Sequence, residues 1–319
     1  MDLTTLLLGI AIASCIYMAC NIGANDVANA MGTSVGAKTL TYKQAILIAA
    51  VAEFVGALFV GGHVSDTIRK GMLDPTLFSA FPMHLVYGMI ASLIAAAIWL
   101  HVASYLGWPV STTHSIVGAV VGFGLIAGGI DAINWGQVVK VVLSWVISPV
   151  MGALFAYLIF RFIHSQIFNK RDPLSHAKKI APFLVFIVCV ILVNSMVYKG
   201  LKNLHLDLTF FGALKISFLV GIAGYIVAKI WASRVKDVPT DDIHGQLVST
   251  ENLFKVLQVI TAFYVAFAHG SNDVANAVGP LAAVVSILVS GEVQMKVEMP
   301  VWILAMGGGF IVFGLFVWG

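Results

Sequence analysis

The sequence predicts an all-α integral membrane fold organised as an inverted repeat, and three observations carry the prediction. Of its 319 residues, 60% are hydrophobic and only 10% are charged, where soluble domains carry about 25%. Apolar stretches long enough to cross a bilayer recur along the whole chain. One polar phrase, GANDVANA at residues 23–30, returns almost unchanged as GSNDVANA at residues 270–277.

A spanning helix takes about 20 mostly apolar residues. Such stretches run over about 3–37, 43–62, 83–106, 113–130, 136–164, 180–198, 210–233, 253–290 and 300–318. The first and eighth exceed one plain span and both contain the polar motif, so the helices are expected to break there. Segment 83–130 reads either as two spans or as a hairpin that dips in and out from one side. The connector 62–81 holds Asp66, Arg69, Lys70, Asp74 and Pro75, which predicts a loop that can include a short surface helix. Three regions follow: a first repeat over 1–165, connecting loops with two spans over 166–252, and the start of a second repeat over 253–319.

Two basic clusters set the orientation. Arg161, Lys170, Arg171, Lys178 and Lys179 form one, and Lys229, Arg234, Lys236 and Lys255 the other. Positive-inside bias places both in the cytoplasm, consistent with the two spans between them. Counting back puts the N-terminus outside a plasma (inner) membrane. The first motif then runs inward and the second outward. A net charge of +3 confined to loops gives no footprint for nucleic acid. Cys15, Cys20 and Cys189 all lie in apolar runs and read as core fillers.

The repeat can be checked by offset. Asn25 and Asn272 are 247 residues apart, as are Asp26 and Asp273, and eight of ten positions agree between 23–32 and 270–279. Alone, the small residues would be packing glue and Asp26 a helix-terminus cap. Recurrence in opposite orientation favours function, because charge at membrane depth costs several kcal/mol and is retained for use. Ionised Asp26 and Asp273 only accept hydrogen bonds, so they suit a hard cation such as Na⁺. Asn25, Asn29, Asn272 and Asn276 donate and accept, and suit either ion. The two aspartates are expected to meet at mid-bilayer.

A second constellation is GWPVSTTHS, residues 107–115. Pro109 disfavours helix at Trp108. Ser111, Thr112 and Thr113 can then cap the apolar run that follows. Hydroxyls and free N–H groups at a helix start make an oxyanion site, and with no lysine or arginine present the anion could leave again.

The doubled motif together with PVSTTH resembles the inorganic phosphate transporter (PiT) family of cation-coupled phosphate symporters, across essentially the whole chain. The resemblance implies an inverted-repeat transporter with broken helices and a re-entrant hairpin around 107–115. It further implies a homodimer in membrane lipid, without an organic cofactor, carrying inorganic phosphate with Na⁺ (or H⁺). Carried over, Asn25, Ser111, Thr112, Thr113 and Asn272 are expected to contact phosphate, and Asp26, Asn29, Asp273 and Asn276 to hold Na⁺. The family has a second hydroxyl-rich hairpin, which the offset places near residue 358. The second repeat is therefore expected to be incomplete within this chain.

Glu53, deep in the second span, and His114, beside the hydroxyls, are candidates for coupling or gating. His101 and His269 also lie in apolar runs, His269 standing where the first copy has Ile22, and both read as structural. With no catalytic constellation and no sizeable extramembrane domain, the expectation is a transporter and not an enzyme. Rival readings are a sulfate transporter on the same fold, or a channel or non-transporting receptor.

Overall fold

The computed structural model describes residues 2–197, 209–293 and 299–319, and every named element among them is helical. In chain order these are α1 (Leu3–Gly36), α2 (Tyr42–Gly71), α3 (Pro82–Tyr105), α4 (Thr112–Gly128), α5 (Trp135–Ile163), α6 (Pro173–Ser195), α7 (Phe210–Arg234), α8 (Ile243–Ser290) and α9 (Val301–Trp318). Among the described residues eight are long and apolar enough to cross a membrane, and α4, at 17 residues, is shorter.

Two expectations are corrected. The helices are not broken at the polar motifs, since α1 and α8 run through them without interruption. Opening a helix in lipid would expose backbone groups costing several kcal/mol each, whereas one glycine inside a helix costs only about 1 kcal/mol. Asn25, Asp26, Asp273 and Asn276 find partners on other elements, while Ser271 donates to the Phe267 carbonyl one turn back without opening the helix. The connector 62–81 is also not mainly loop. Helix α2 continues to Gly71, followed by a short 3₁₀ turn at Pro75–Phe78. Hydropathy locates where a chain leaves lipid, and nothing between His63 and Lys70 forbids helix. For the same reason α6 begins at Pro173, capped by Asp172, and α8 at Ile243, both earlier than their apolar runs.

The chain forms two compact units, one comprising Met1–Lys140 with Phe263–Gly319, the other Val141–Ala262. In the first, α1 packs on α9 and α3, α2 on α9, and α3 on α4. Its core includes the fully buried Met18, Ile22, Leu93, Leu100, Leu281 and Ile311.

Glycines set the closest crossings. A methyl group at Gly23 would strike the Ile311 carbonyl, and one at Gly314 the Cys20 carbonyl, so α1 and α9 touch backbone to backbone. A methyl at Gly270 would strike Glu53, and one at Gly56 the Phe267 carbonyl, so α8 and α2 touch the same way. Gly23 and Gly270 stand at the 247 offset of the motif repeat, and so do Cys20 and Phe267. Such close approach is what small residues permit between membrane helices. We expect Gly270→Ala to destabilise the purified protein by about 1–3 kcal/mol or more, the cost of overpacking. A melting temperature unchanged from wild type would contradict this.

In the second unit α6 pairs with α7. Gly221 faces Val190 and Phe186, and Gly224 faces Cys189. The N-terminal end of α6, the C-terminal end of α7 and the start of α8 converge on a small core of Ile167, Leu174, Ala177, Ala232 and Leu253. Gln246 ties them, accepting from the Leu174 N–H at 3.1 Å and donating to the Val238 carbonyl at 3.0 Å.

Candidate functional site

The hairpin of α3 and α4 turns through residues 106–111, with Gly107 at φ +69°, a conformation that glycine adopts without strain. Ser111 is extended and caps α4, its Oγ accepting from the His114 N–H at 3.2 Å. Asn25 of α1 holds the turn, donating to Ser104 Oγ at 3.0 Å and the Trp108 carbonyl at 3.4 Å. Asn25 precedes the end of α1 by eleven residues, about 16 Å at 1.5 Å per residue. The hairpin tip thus lies well inside the helix layer, at the level of the first motif.

The second motif meets the same tip. On α8, Asp273 and Asn276 are three residues apart and share a face. Asp273 Oδ1 accepts from Thr112 Oγ1 at 3.3 Å and from Thr113 Oγ1 at 3.2 Å. Asn276 Nδ2 donates to Asp273 Oδ1 at 2.9 Å and to both threonine hydroxyls at 3.2 and 3.1 Å. On α1, Asn29 donates to Asp26 Oδ1 at 3.3 Å.

His269 joins three helices. It lies one turn before Asp273, and its Nε2 sits 2.9 Å from Asp273 Oδ2 and 3.3 Å from Asp26 Oδ2. Its Nδ1 is 3.0 Å from Glu53 Oε1 of α2. The close α2–α8 crossing at Gly270 is what brings the fully buried Glu53 within reach. One ligand atom from each of Asp26, His269 and Asp273 lies within 4.8 Å of the others.

Two features define what this arrangement can do. Asp26 Oδ2, Glu53 Oε2 and His269 Nε2 are buried without an aligned hydrogen bond. His269 Nε2 and Asp26 Oδ2 face each other at 3.3 Å, whereas Glu53 Oε2 has no hydrogen bond, and an unsatisfied buried polar atom costs about 1–3 kcal/mol. Three carboxylates also surround one imidazole. With all three carboxylates ionised beside a protonated His269, two negative charges would be left over, which cations or protons can neutralise. Beside them is a cavity of about 450 Å³, lined by Asp26 and Asn29 of α1, Ser111, Thr112 and Thr113 of the hairpin, and His269 and Asp273 of α8. One wall is therefore acidic, and the other is the positive, N–H-bearing end of helix α4.

A model of the phosphate transporter family matches residues 22–319. The chain belongs to the phosphate transporter family. A Pyrococcus horikoshii protein named as a phosphate permease is 47% identical over 302 residues, which cover 95% of this chain and 72% of the relative. Inorganic phosphate transporter 2-1, chloroplastic, of Arabidopsis thaliana is 44% identical over 95% of this chain and 55% of its own length. The solved structure of a protein named the sodium-dependent phosphate transporter superposes with a TM-score of 0.90 at 39% identity, covering 98% of this chain and 76% of its own. Members of this family are transporters, not enzymes, and with eight candidate spans this one is a multi-pass membrane protein.

The structure places the predicted residues unevenly. Asp26, Asn29, Asp273, Ser111, Thr112 and Thr113 line the shared cavity, with Asn276 buried behind Asp273. The Thr112 and Thr113 hydroxyls donate to Asp273, so the amino end of α4 lies directly against the acidic residues. Asn25 holds the hairpin turn and does not line the cavity, and Asn272 is exposed on another face of α8. Glu53 reaches the cluster through His269. His114 is exposed, and its backbone N–H completes the cap on Ser111. His269 is not among the residues that repeat arithmetic selects, because its counterpart is Ile22. Its spacing of four from Asp273 does put both on one helical face.

Proposed function

We propose that the protein imports inorganic phosphate by symport with Na⁺, holding both in the cavity between α1, α8 and the hairpin tip. The carrying observation is that one cavity has two chemically opposite walls. The amino end of α4 offers N–H groups and the Ser111 hydroxyl to a tetrahedral anion, as helix N-termini do. Asp26 and Asp273 offer oxygens to a hard cation. Among the described residues no lysine or arginine lines the cavity, so the anion is held by dipoles and can be released.

The charge balance orders the steps. Phosphate approaching an empty site would meet two uncompensated negative charges, so cations bind first. Two Na⁺ neutralise the cluster and, carried with HPO₄²⁻, add no net negative charge to a negative interior. Each Na⁺ gains about 2.3 kcal/mol per 100 mV of membrane potential, which offsets the equal cost of each charge on HPO₄²⁻, so the Na⁺ concentration gradient supplies the net drive. The inverted motifs then support alternating access, the repeats rocking about the shared site. Positive-inside bias supports an external N-terminus in a plasma (inner) membrane. The solved relative is named as sodium-dependent, which supports Na⁺ over H⁺. Assembly as a homodimer, implied by the family resemblance, belongs to the same reading and is checked by the mass of the solubilised particle.

Radiolabelled phosphate flux into proteoliposomes tests the reading. An imposed Na⁺ gradient is expected to drive accumulation, while a pH gradient alone is not, and unlabelled sulfate is expected to compete poorly. Accumulation driven equally by a pH gradient without Na⁺ would overturn Na⁺ coupling. Equal competition by sulfate would overturn phosphate selectivity.

A further inference from the structure

Helices α6, α7 and the first part of α8 enclose a groove of about 490 Å³ that the transport site does not use. Its lining is almost wholly apolar: Ala181, Val185 and Cys189 from α6, Ala228 and Trp231 from α7, and Val256 from α8 are representative. Within each helix the lining positions recur every three or four residues, so each helix turns one continuous apolar face inward. Gly224 forms part of the floor, packed on Cys189.

The groove's chemistry changes abruptly at one end. Following the α7 stripe one turn beyond Trp231 leads to Arg234, and following the α6 stripe one turn back from Ala181 leads to Lys178. The two meet at the same end of the unit, because Ala177 and Ala232 share a core there and Lys178 Nζ donates to the Val235 carbonyl at 2.6 Å. Lys178 is also paired with Asp237 at 2.6 Å, which neutralises it. Arg234, three residues beyond Trp231 on the same face of α7, is exposed and is left, among the described residues, as the uncompensated cation at this end. An apolar slot capped at one end by an aromatic residue and a cation has the polarity of an amphiphile with an anionic head and a hydrocarbon tail.

We propose that this groove binds an anionic phospholipid, one acyl chain lying along α6 and α7 with the headgroup phosphate at Arg234. A zwitterionic lipid carries the same tail but gains less from the cation, since each interfacial lysine or arginine favours an anionic surface by about fivefold. A second copy of this chain is the rival occupant. That occupant would shield Trp231 from lipid, which the quenching experiment reads directly.

Trp231 lines the groove and is 38% exposed, so it reports on the occupant. The full chain is reconstituted in phosphatidylcholine with increasing fractions of brominated phosphatidylglycerol or brominated phosphatidylcholine. Trp231 quenching is taken as the difference between wild type and Trp231→Phe. Half-maximal quenching is expected at an about fivefold lower mole fraction of the glycerol lipid. Arg234→Gln, at an exposed position outside the packed core, should remove that preference while leaving tail access. Ala228→Phe, which fills the slot, should reduce quenching by both lipids, and an unchanged circular dichroism spectrum checks its fold. Equal quenching by the two wild-type headgroups would overturn the proposal. So would an Arg234→Gln variant that keeps the preference, or a Trp231 shielded from both lipids until the protein is diluted to monomer.

Discussion

Asp273→Asn is expected to slow Na⁺-driven phosphate uptake at sub-saturating Na⁺ by about a thousandfold. The substitution keeps the shape and one oxygen acceptor, so Thr112, Thr113 and Asn276 retain a partner and the hairpin tip stays docked on α8. What disappears is a unit charge at the acidic wall. At an effective dielectric constant of about 20, a carboxylate about 4 Å from a cation is worth about 4 kcal/mol, or roughly three decades in affinity. On the proposed order, in which phosphate follows the cations, the loss is expected to appear first as weakened Na⁺ dependence. Initial rates across a Na⁺ titration in proteoliposomes measure it directly. Concentrative uptake at the wild-type rate would remove Asp273 from the cation site.

His269→Ala is expected to be the most damaging single change to stability, costing about 3–5 kcal/mol, the usual penalty for breaking a buried charge pair from one side. Glu53 is fully buried, and Oε1 finds His269 Nδ1 while Oε2 has no aligned hydrogen bond. Removing the imidazole leaves that carboxylate unpaired and takes away the group that stands between Asp26 and Asp273. The compensating change is therefore Glu53→Gln, which removes the stranded charge. The double variant should regain most of the lost stability while remaining unable to transport. A double-mutant cycle on melting temperature and uptake separates the two effects. A His269→Ala protein as stable as wild type would show that the imidazole does not hold the cluster together.

The site was partly legible before folding. Asp26 and Asp273 stand out because a charge repeated within apolar stretches is expensive and has no structural excuse. Ser111, Thr112 and Thr113 stand out because a proline-led turn precedes an apolar helix. Two assignments depended on partners that lie far away in the chain. Asn25 and Asn272 occupy equivalent places in the repeat, yet only Asn25 meets the hairpin turn, through Ser104 and Trp108. His269 breaks the repeat, which made it look incidental, although that asymmetry supplies the one imidazole shared by three carboxylates.

By itself the sequence determined the membrane class, the position of the apolar segments, and which polar residues demand an explanation. Those properties are local: hydropathy over about 20 residues and identity at a fixed offset need no third dimension. Tertiary structure alone decided that the motif helices stay intact, that the hairpin tip reaches the depth of Asn25, and that Glu53 joins the cluster. The physical reason is that these outcomes rest on contacts between residues distant in the chain, 79 positions for Asn25 and Ser104 and 216 for Glu53 and His269. They rest equally on backbone crossings that only glycine allows, at Gly23 against Ile311 and Gly270 against Glu53. A polar residue in lipid announces that it needs a partner, and packing decides which one it meets.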